Sequence, residues 1–181
     1  MRKKTTLRVL VAAGTLIGAV FAGVVPATAQ GDVHKPAPTA ASPAATTGAL
    51  SPTGVFPTGD YFFKNVETSR CVDDSQAYGL RAFTCNWSNY QKFQFWQKGN
   101  GYYRIANYAT GRCIDDSDAY GLRGFGCNTG PYQEWNLYSD GVTTHLRNRA
   151  TGRNLDDSYE FGLRTFAPND LSWQSFTFYR G

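Results

Sequence analysis

Three pairs of adjacent carboxylates, Asp73-Asp74, Asp115-Asp116 and Asp156-Asp157, are the residues of this chain whose types and spacing most readily suggest chemistry. Two carboxylates placed across a scissile bond are what glycoside hydrolysis requires. Neighbours on a regular strand point to opposite faces, however, so the members of a pair cannot flank one sugar. Threefold repetition also opposes catalysis, since a domain rarely carries its catalytic machinery in triplicate, and the chain reads as non-enzymatic. Other constellations fail on spacing. No Ser-His-Asp set repeats or clusters, His34 and His145 read as solvated, and Gly121-x-x-Gly124-x-Gly126 is spaced wrongly for a dinucleotide loop. Cysteines without a C-x-x-C, beside only two histidines, make no zinc set. Asp115, Asp116 and Asp118 could approach calcium, but Asp118 does not recur as Asp in the other copies. No metal and no cofactor is expected.

What does recur is an acid, an amide and a ring: Asp115, Asn128 and Tyr132 with Phe125 in one segment, matched by Asp73, Asn86, Tyr90 and Phe83, and by Asp156, Asn169, Trp173 and Phe166. A sugar presents hydroxyls along one edge and C–H groups on a face. A fixed carboxylate and amide against the hydroxyls, with a ring against the face, therefore form a fitting site. Each group has an alternative role: Asp and Asn cap turns through their own loop's N–H groups, and the Phe residues could be core. Gln91, Gln133 and Gln174 with their following aromatics read as scaffold.

The elements that must position these groups follow from the period. The run Cys113-Ile114-Asp115-Asp116-Ser117, Gly121-Leu122-Arg123, Phe125, Cys127-Asn128, Tyr132-Gln133-Glu134-Trp135 recurs 42 positions earlier and 41 later. Apolar residues come in short groups such as Tyr61-Phe62-Phe63 and Phe176-Thr177-Phe178, and no window sustains a helical pattern, so the class is all-β. Thr68-Ser69-Arg70, Thr110-Gly111-Arg112 and Thr151-Gly152-Arg153 read as turns. Val72, Ile114 and Leu155 read as core. Units this small must pool their apolar faces. The end copies are as regular as the middle one, whereas a linear solenoid needs capping copies. A closed arrangement of four strands per copy with pseudo-threefold symmetry is a β-trefoil, expected over 59–181 with repeats of about 59–100, 101–140 and 141–181.

The N-terminus belongs to targeting. Arg2, Lys3, Lys4 and Arg8 precede an apolar run, and Ala27-Thr28-Ala29 offers a cleavage site, so 1–29 reads as a signal peptide of a secreted, extracellular protein. No membrane insertion of the mature chain is expected. The chain has 18 Lys+Arg and 14 Asp+Glu, and the leader carries four of the bases and none of the acids. The mature protein is thus near neutral, which removes the basic footprint that nucleic-acid binding needs. Residues 30–58, rich in Ala, Pro and Thr, read as a disordered spacer. Cysteines 14 apart at matching repeat positions make Cys71–Cys85 and Cys113–Cys127 the economical disulfides. The third copy has Asn154 and Pro168 there, lost together.

The signature Gln133-Glu134-Trp135, with Gln91-Lys92-Phe93 and Gln174-Ser175-Phe176, resembles that of the ricin B-type (Q-x-W) β-trefoil lectins, and within them the short-repeat actinohivin type. The similarity covers essentially all of 59–181. It implies a carbohydrate-binding module, read as a monomer, with one pocket per repeat and glycans as partners. In such lectins an Asp at the position of Asp73, Asp115 and Asp156 accepts from sugar hydroxyls. Asn86, Asn128 and Asn169 fall where an Asn contacts sugar, and Tyr90, Tyr132 and Trp173 where an aromatic lines the pocket. Phe83, Phe125 and Phe166 fall where a ring stacks on the sugar. Arg81, Arg123 and Arg164 depart from the pattern, standing where the actinohivin type has Tyr. An Arg beside the Asp either binds an acidic sugar or occupies the Asp in an ion pair and closes the pocket. In the second case the chain is a trefoil protein-interaction module or secreted protease inhibitor.

Overall fold

The computed structural model describes residues 57–139, 142–169 and 171–181; the leader at 1–29 and the spacer through residue 56 lie outside the described residues. Each repeat contributes four strands. The first supplies β1 (Gly59–Asn65), β2 (Arg70–Ser75), β3 (Gly79–Thr84) and β4 (Phe93–Gln97); the second supplies β5 (Tyr103–Asn107), β6 (Arg112–Ser117), β7 (Gly121–Gly126) and β8 (Trp135–Ser139). The third supplies β9 (Thr144–Asn148), β10 (Asn154–Ser158), β11 (Gly162–Phe166) and β12 (Phe176–Arg180). Antiparallel pairing runs β1–β4, β4–β5, β5–β8, β8–β9, β9–β12 and back from β12 to β1, so six strands close a barrel with no free edge. The hairpins β2–β3, β6–β7 and β10–β11 spring from β1, β5 and β9. The hairpins' second strands, β3, β7 and β11, meet one another. This is the β-trefoil.

The barrel is filled by Phe63, Phe93, Phe95, Ile105, Trp135, Leu146 and Phe176, which are fully buried, and Val72, Ile114 and Leu155 seal it from the hairpins. Rings predominate on one side, where Phe63 stacks on Phe178 and meets Phe93 edge-on at 5.0 Å. Trp135 satisfies its indole N–H with the Ile114 carbonyl at 2.9 Å.

The second carboxylate of each pair points inward and joins one repeat to the next. Asp74 accepts Thr110 Oγ1 at 2.5 Å and both Nε (3.0 Å) and Nη2 (2.5 Å) of Arg112. Asp116 accepts Thr151 Oγ1 at 2.5 Å and Arg153 Nε and Nη2 at 3.1 and 2.9 Å. Asp157 closes the circle with Thr68 and Arg70 of the first repeat. The three turns read as connectors are therefore also the donors of the repeat-to-repeat contact. Asn65, Asn107 and Asn148 set those turns: Asn107 Oδ1 accepts the N–H groups of Ala109 and Thr110 at 3.0 Å, while its amide donates to the Tyr90 carbonyl at 2.7 Å.

His145, expected in solvent, is buried and stacked on Tyr138 with ring centroids 5.0 Å apart. Its position on β9 within the closed barrel wall, invisible to a search for chemistry-bearing residues, accounts for the difference.

Two predictions follow from these contacts. Asp116→Ala strips Arg153 and Thr151 of their buried partner and should lower the unfolding free energy by about 3–5 kcal/mol, measured by urea titration. Glu134, buried beside Gln133, has a carboxyl held below its ordinary value of 4.5. Burial pushes that value up, but hydrogen bonds from Arg149 and Asn100 and the charges of Arg149 and Lys98 outweigh it. A lowered carboxylate contributes stability above its unfolded value and loses it as pH falls through the folded one. Glu134→Gln should therefore flatten the acid limb of the stability–pH curve below about pH 4.5 and change little in slope near neutrality.

Candidate functional site

The outward carboxylate of each pair sits directly across a hairpin from an arginine: Asp73 opposite Arg81, Asp115 opposite Arg123 and Asp156 opposite Arg164. Strand alternation that sends Asp74, Asp116 and Asp157 to the seams sends these three outward. Arginine Nε donates to Oδ1 at 3.1, 3.0 and 2.9 Å in the three repeats. The guanidinium lies between two rings each time. Arg81 is 4.4 Å from the Tyr78 centroid and 4.3 Å from Phe83; Arg123 is 4.4 Å from Tyr120 and 4.2 Å from Phe125. Arg164 is 4.4 Å from Phe161 and 4.5 Å from Phe166. The hairpin turns that bring the first ring of each sandwich over the arginine rest on Gly79, Gly121 and Gly162, at φ of 70°, 64° and 69°, a left-handed conformation that favours glycine.

The wall facing each hairpin is the loop that leads to the Gln. Gln133, fully buried, accepts the Asn128 N–H at 2.8 Å and donates to the Gly126 carbonyl at 3.0 Å and to Asp115 Oδ2 at 3.2 Å. Gln174 repeats this with Asn169, Ala167 and Asp156, and Gln91 with Asn86 and Thr84. These glutamines are scaffold: each staples a loop, and two of them also fix the site's acid. Disulfides Cys71–Cys85 and Cys113–Cys127 tie the same loops to β2 and β6. In the third repeat, Asn154 takes the first cysteine's place and donates to Gln174 Oε1 at 2.9 Å and to Tyr138 Oη at 2.7 Å. A hydrogen bond thus replaces a covalent tie.

Asn86, Asn128 and Asn169 are exposed, and each Oδ1 accepts a backbone N–H two residues on, from Ser88 (3.1 Å), Gly130 (2.7 Å) and Leu171 (3.1 Å). The turn-forming role holds for their oxygens, while their amide nitrogens donate to no group among the described residues. Tyr90 and Tyr132 are each 45% exposed. Phe83, Phe125 and Phe166 are exposed as well, so they are not core; each lends one face to the arginine. Asp115 is 3% exposed and both of its oxygens are engaged, by Arg123 and Gln133. Asp118 pairs with Arg153 at 3.2 Å rather than joining its neighbours in an acidic cluster.

In the third repeat, acid, amide and ring do share one hollow. It has a volume of about 390 Å³ and is lined by Asp156, Arg164, Asn169 and Trp173. Ser158, Tyr159, Glu160, Phe161 and Leu171 complete its wall. Arginine and hollow therefore coexist there: Arg164 occupies Asp156 without filling the space in front of it. Residues that sequence reasoning passed over are Tyr78, Tyr120 and Phe161, the second face of each sandwich. The available signal was an aromatic before Gly at the same offset in all three copies.

No curated protein sequence matches the chain. Solved structures similar to it include the designed threefold symmetric protein ThreeFoil, at 17% identity and a TM-score of 0.62, covering 68% of this chain and 99% of that one. SeviL bound to the asialo-GM1 saccharide matches at 15% identity and a TM-score of 0.59, over 69% of this chain and 99% of that one. An exo-beta-1,3-galactanase from Clostridium thermocellum matches at 20% identity and a TM-score of 0.62, over 70% of this chain and 31% of that one. The family model for the ricin-type beta-trefoil lectin domain-like proteins matches residues 55–121 and 89–160, and with more than half its length covered the chain belongs to that family.

Proposed function

We propose that this protein is a secreted, non-catalytic glycan-binding module with one site per repeat. The carrying observation is the hollow of the third repeat, where a carboxylate, an amide and an indole ring converge. A volume of about 390 Å³ accommodates a sugar ring. Trp173 offers the ring face, Asn169 offers amide N–H donors, and the Nη groups of Arg164 offer further donors. Asp156 serves as the anchor that aims the guanidinium. This division of labour differs from that implied by the actinohivin type, in which the Asp itself accepts from hydroxyls. The saccharide in the SeviL structure and the family membership support the same reading. Three sites on one rigid body gain through avidity on a multivalent surface even where each is weak. The paired acids do not support hydrolysis, because one member of each pair is committed to a repeat seam and the other to an arginine.

A second reading rests on the same arginines. The Arg–Asp pair is formed in all three repeats, and with it the carboxylates are withdrawn from solvent. In that reading the hairpin faces contact a protein instead. A glycan array probed with the full protein separates the two. Under the glycan reading, polysaccharide or glycoprotein glycans give signal above background, and Trp173→Ala weakens it by roughly three- to tenfold, the loss of one stacking face, with an unchanged circular dichroism spectrum. Under the second reading the array is blank for the protein, and Arg123→Tyr is needed to open a site.

A further inference from the structure

The three sites are not equivalent: the third presents a carboxylate that no arginine or lysine contacts among the described residues. The residues between the end of the first hairpin strand and the turn glycine are Gln76-Ala77-Tyr78 in the first repeat and Asp118-Ala119-Tyr120 in the second. In the third they are Tyr159-Glu160-Phe161. In the first hairpin the charged side chains outside the seams are Asp73 and Arg81, which pair with each other. In the second, Asp115 is matched by Arg123, and the additional Asp118 lies 3.2 Å from Arg153, which also holds the seam acid Asp116. In the third, Arg164 is matched by Asp156, and Glu160 lines the same hollow with no ion-pair partner among the described residues. The other nearby cation, Arg70, is bonded to Asp157 and to the Ser158 carbonyl and lies over the Tyr159 ring at 5.6 Å. This hollow therefore carries an uncompensated negative charge.

Its walls are also more aromatic. Tyr159, which replaces Gln76 and Asp118, meets Trp173 edge-on at 6.1 Å and donates its hydroxyl to the Thr68 carbonyl at 3.3 Å. Phe161 and Leu171 add apolar surface to the same lining. A free carboxylate beside the Trp173 ring attracts an organic cation, through charge and through the ring quadrupole together, while Tyr159 and Phe161 already face Arg70 and Arg164. It repels an acidic sugar. The amide of Asn169 and the Nη donors of Arg164 still serve the hydroxyls of a sugar, so the ligand that uses every group is a sugar bearing a protonated amine.

We infer that the third hollow is selective for a deacetylated amino sugar, with Glu160 as the residue that reads the ammonium group; this rests on the glycan-binding reading above. Substrates with the same backbone but an acetylated, uncharged nitrogen lose the contact to Glu160 and keep the remainder.

The test is calorimetric titration of the full protein with hexamers of glucosamine and of N-acetylglucosamine, at low salt and about pH 6, where a Glu carboxyl is ionised. The expected result is a roughly two- to tenfold preference for the glucosamine oligomer. It is lost in Glu160→Gln and retained in Asp60→Asn, which removes the same charge from β1, outside the hollow. Equal affinity for both oligomers, or a preference that survives Glu160→Gln, overturns the inference while leaving glycan binding in place. Binding to other array glycans but to neither hexamer overturns it likewise, whereas a blank array removes the glycan reading itself.

Discussion

Everything in this trefoil depends on a buried carboxylate gripped by the following repeat. Asp74, Asp116 and Asp157 are fully or almost fully buried, and each accepts a threonine hydroxyl and the side of a guanidinium from the next Thr-x-Arg turn. A charge in that position is tolerated only when fully hydrogen-bonded, because its desolvation costs several kcal/mol. The donors lie 35 to 38 residues on for Asp74 and Asp116 and 87 to 89 residues back for Asp157, so no repeat satisfies its own acid. The circle closes only when the third repeat meets the first, which couples formation of the fold to completion of all three copies. The hydrophobic core adds most of the stabilisation, but the core residues differ between copies, as Phe63, Ile105 and Leu146 show, whereas the grip of Thr and Arg on the acid recurs three times, with Thr165 adding a hydroxyl to Asp116.

The site is the other side of that constraint. Two consecutive residues of a strand face opposite ways, so fixing the second acid at a seam fixes the first on the outer face of a hairpin. There it meets an arginine held flat between two rings. The pairing uses one edge of the guanidinium and both of its faces, leaving the far nitrogens as outward donors. The loop that supplies the amide and the final aromatic is stapled by a buried glutamine. That staple is reinforced by a disulfide in two repeats and by Asn154 in the third. The buried glutamines and seam acids thus set the positions of candidate binding groups that stand at the surface.

Variation is tolerated where neither seam nor staple is touched. The aromatic before each turn glycine is kept, while the two residues ahead of it change from Gln76-Ala77 and Asp118-Ala119 to Tyr159-Glu160, and with them the charge and ring content of the hairpin face. A threefold body can in this way vary its three outer hairpin faces without disturbing its core.

The sequence by itself determined the architecture. A 42- and 41-residue period, short aromatic groups and cysteines at matching offsets leave a closed threefold β structure with two intra-repeat disulfides, because each of these is a local or strictly periodic property. It also placed Gln91, Gln133 and Gln174 as scaffold. Only the tertiary structure decided what the charged residues do. From spacing alone Asp74 and Asp73 are adjacent acids, and Arg112 and Arg81 are surface cations of one kind. Which acid meets which arginine is set by register across a hairpin in one case and by contact between different repeats in the other, and neither leaves a trace in local composition. The burial of His145, the ring sandwiches completed by Tyr78, Tyr120 and Phe161, and the coexistence of Arg164 with an open hollow were likewise settled by packing, since each depends on groups brought together from separate strands.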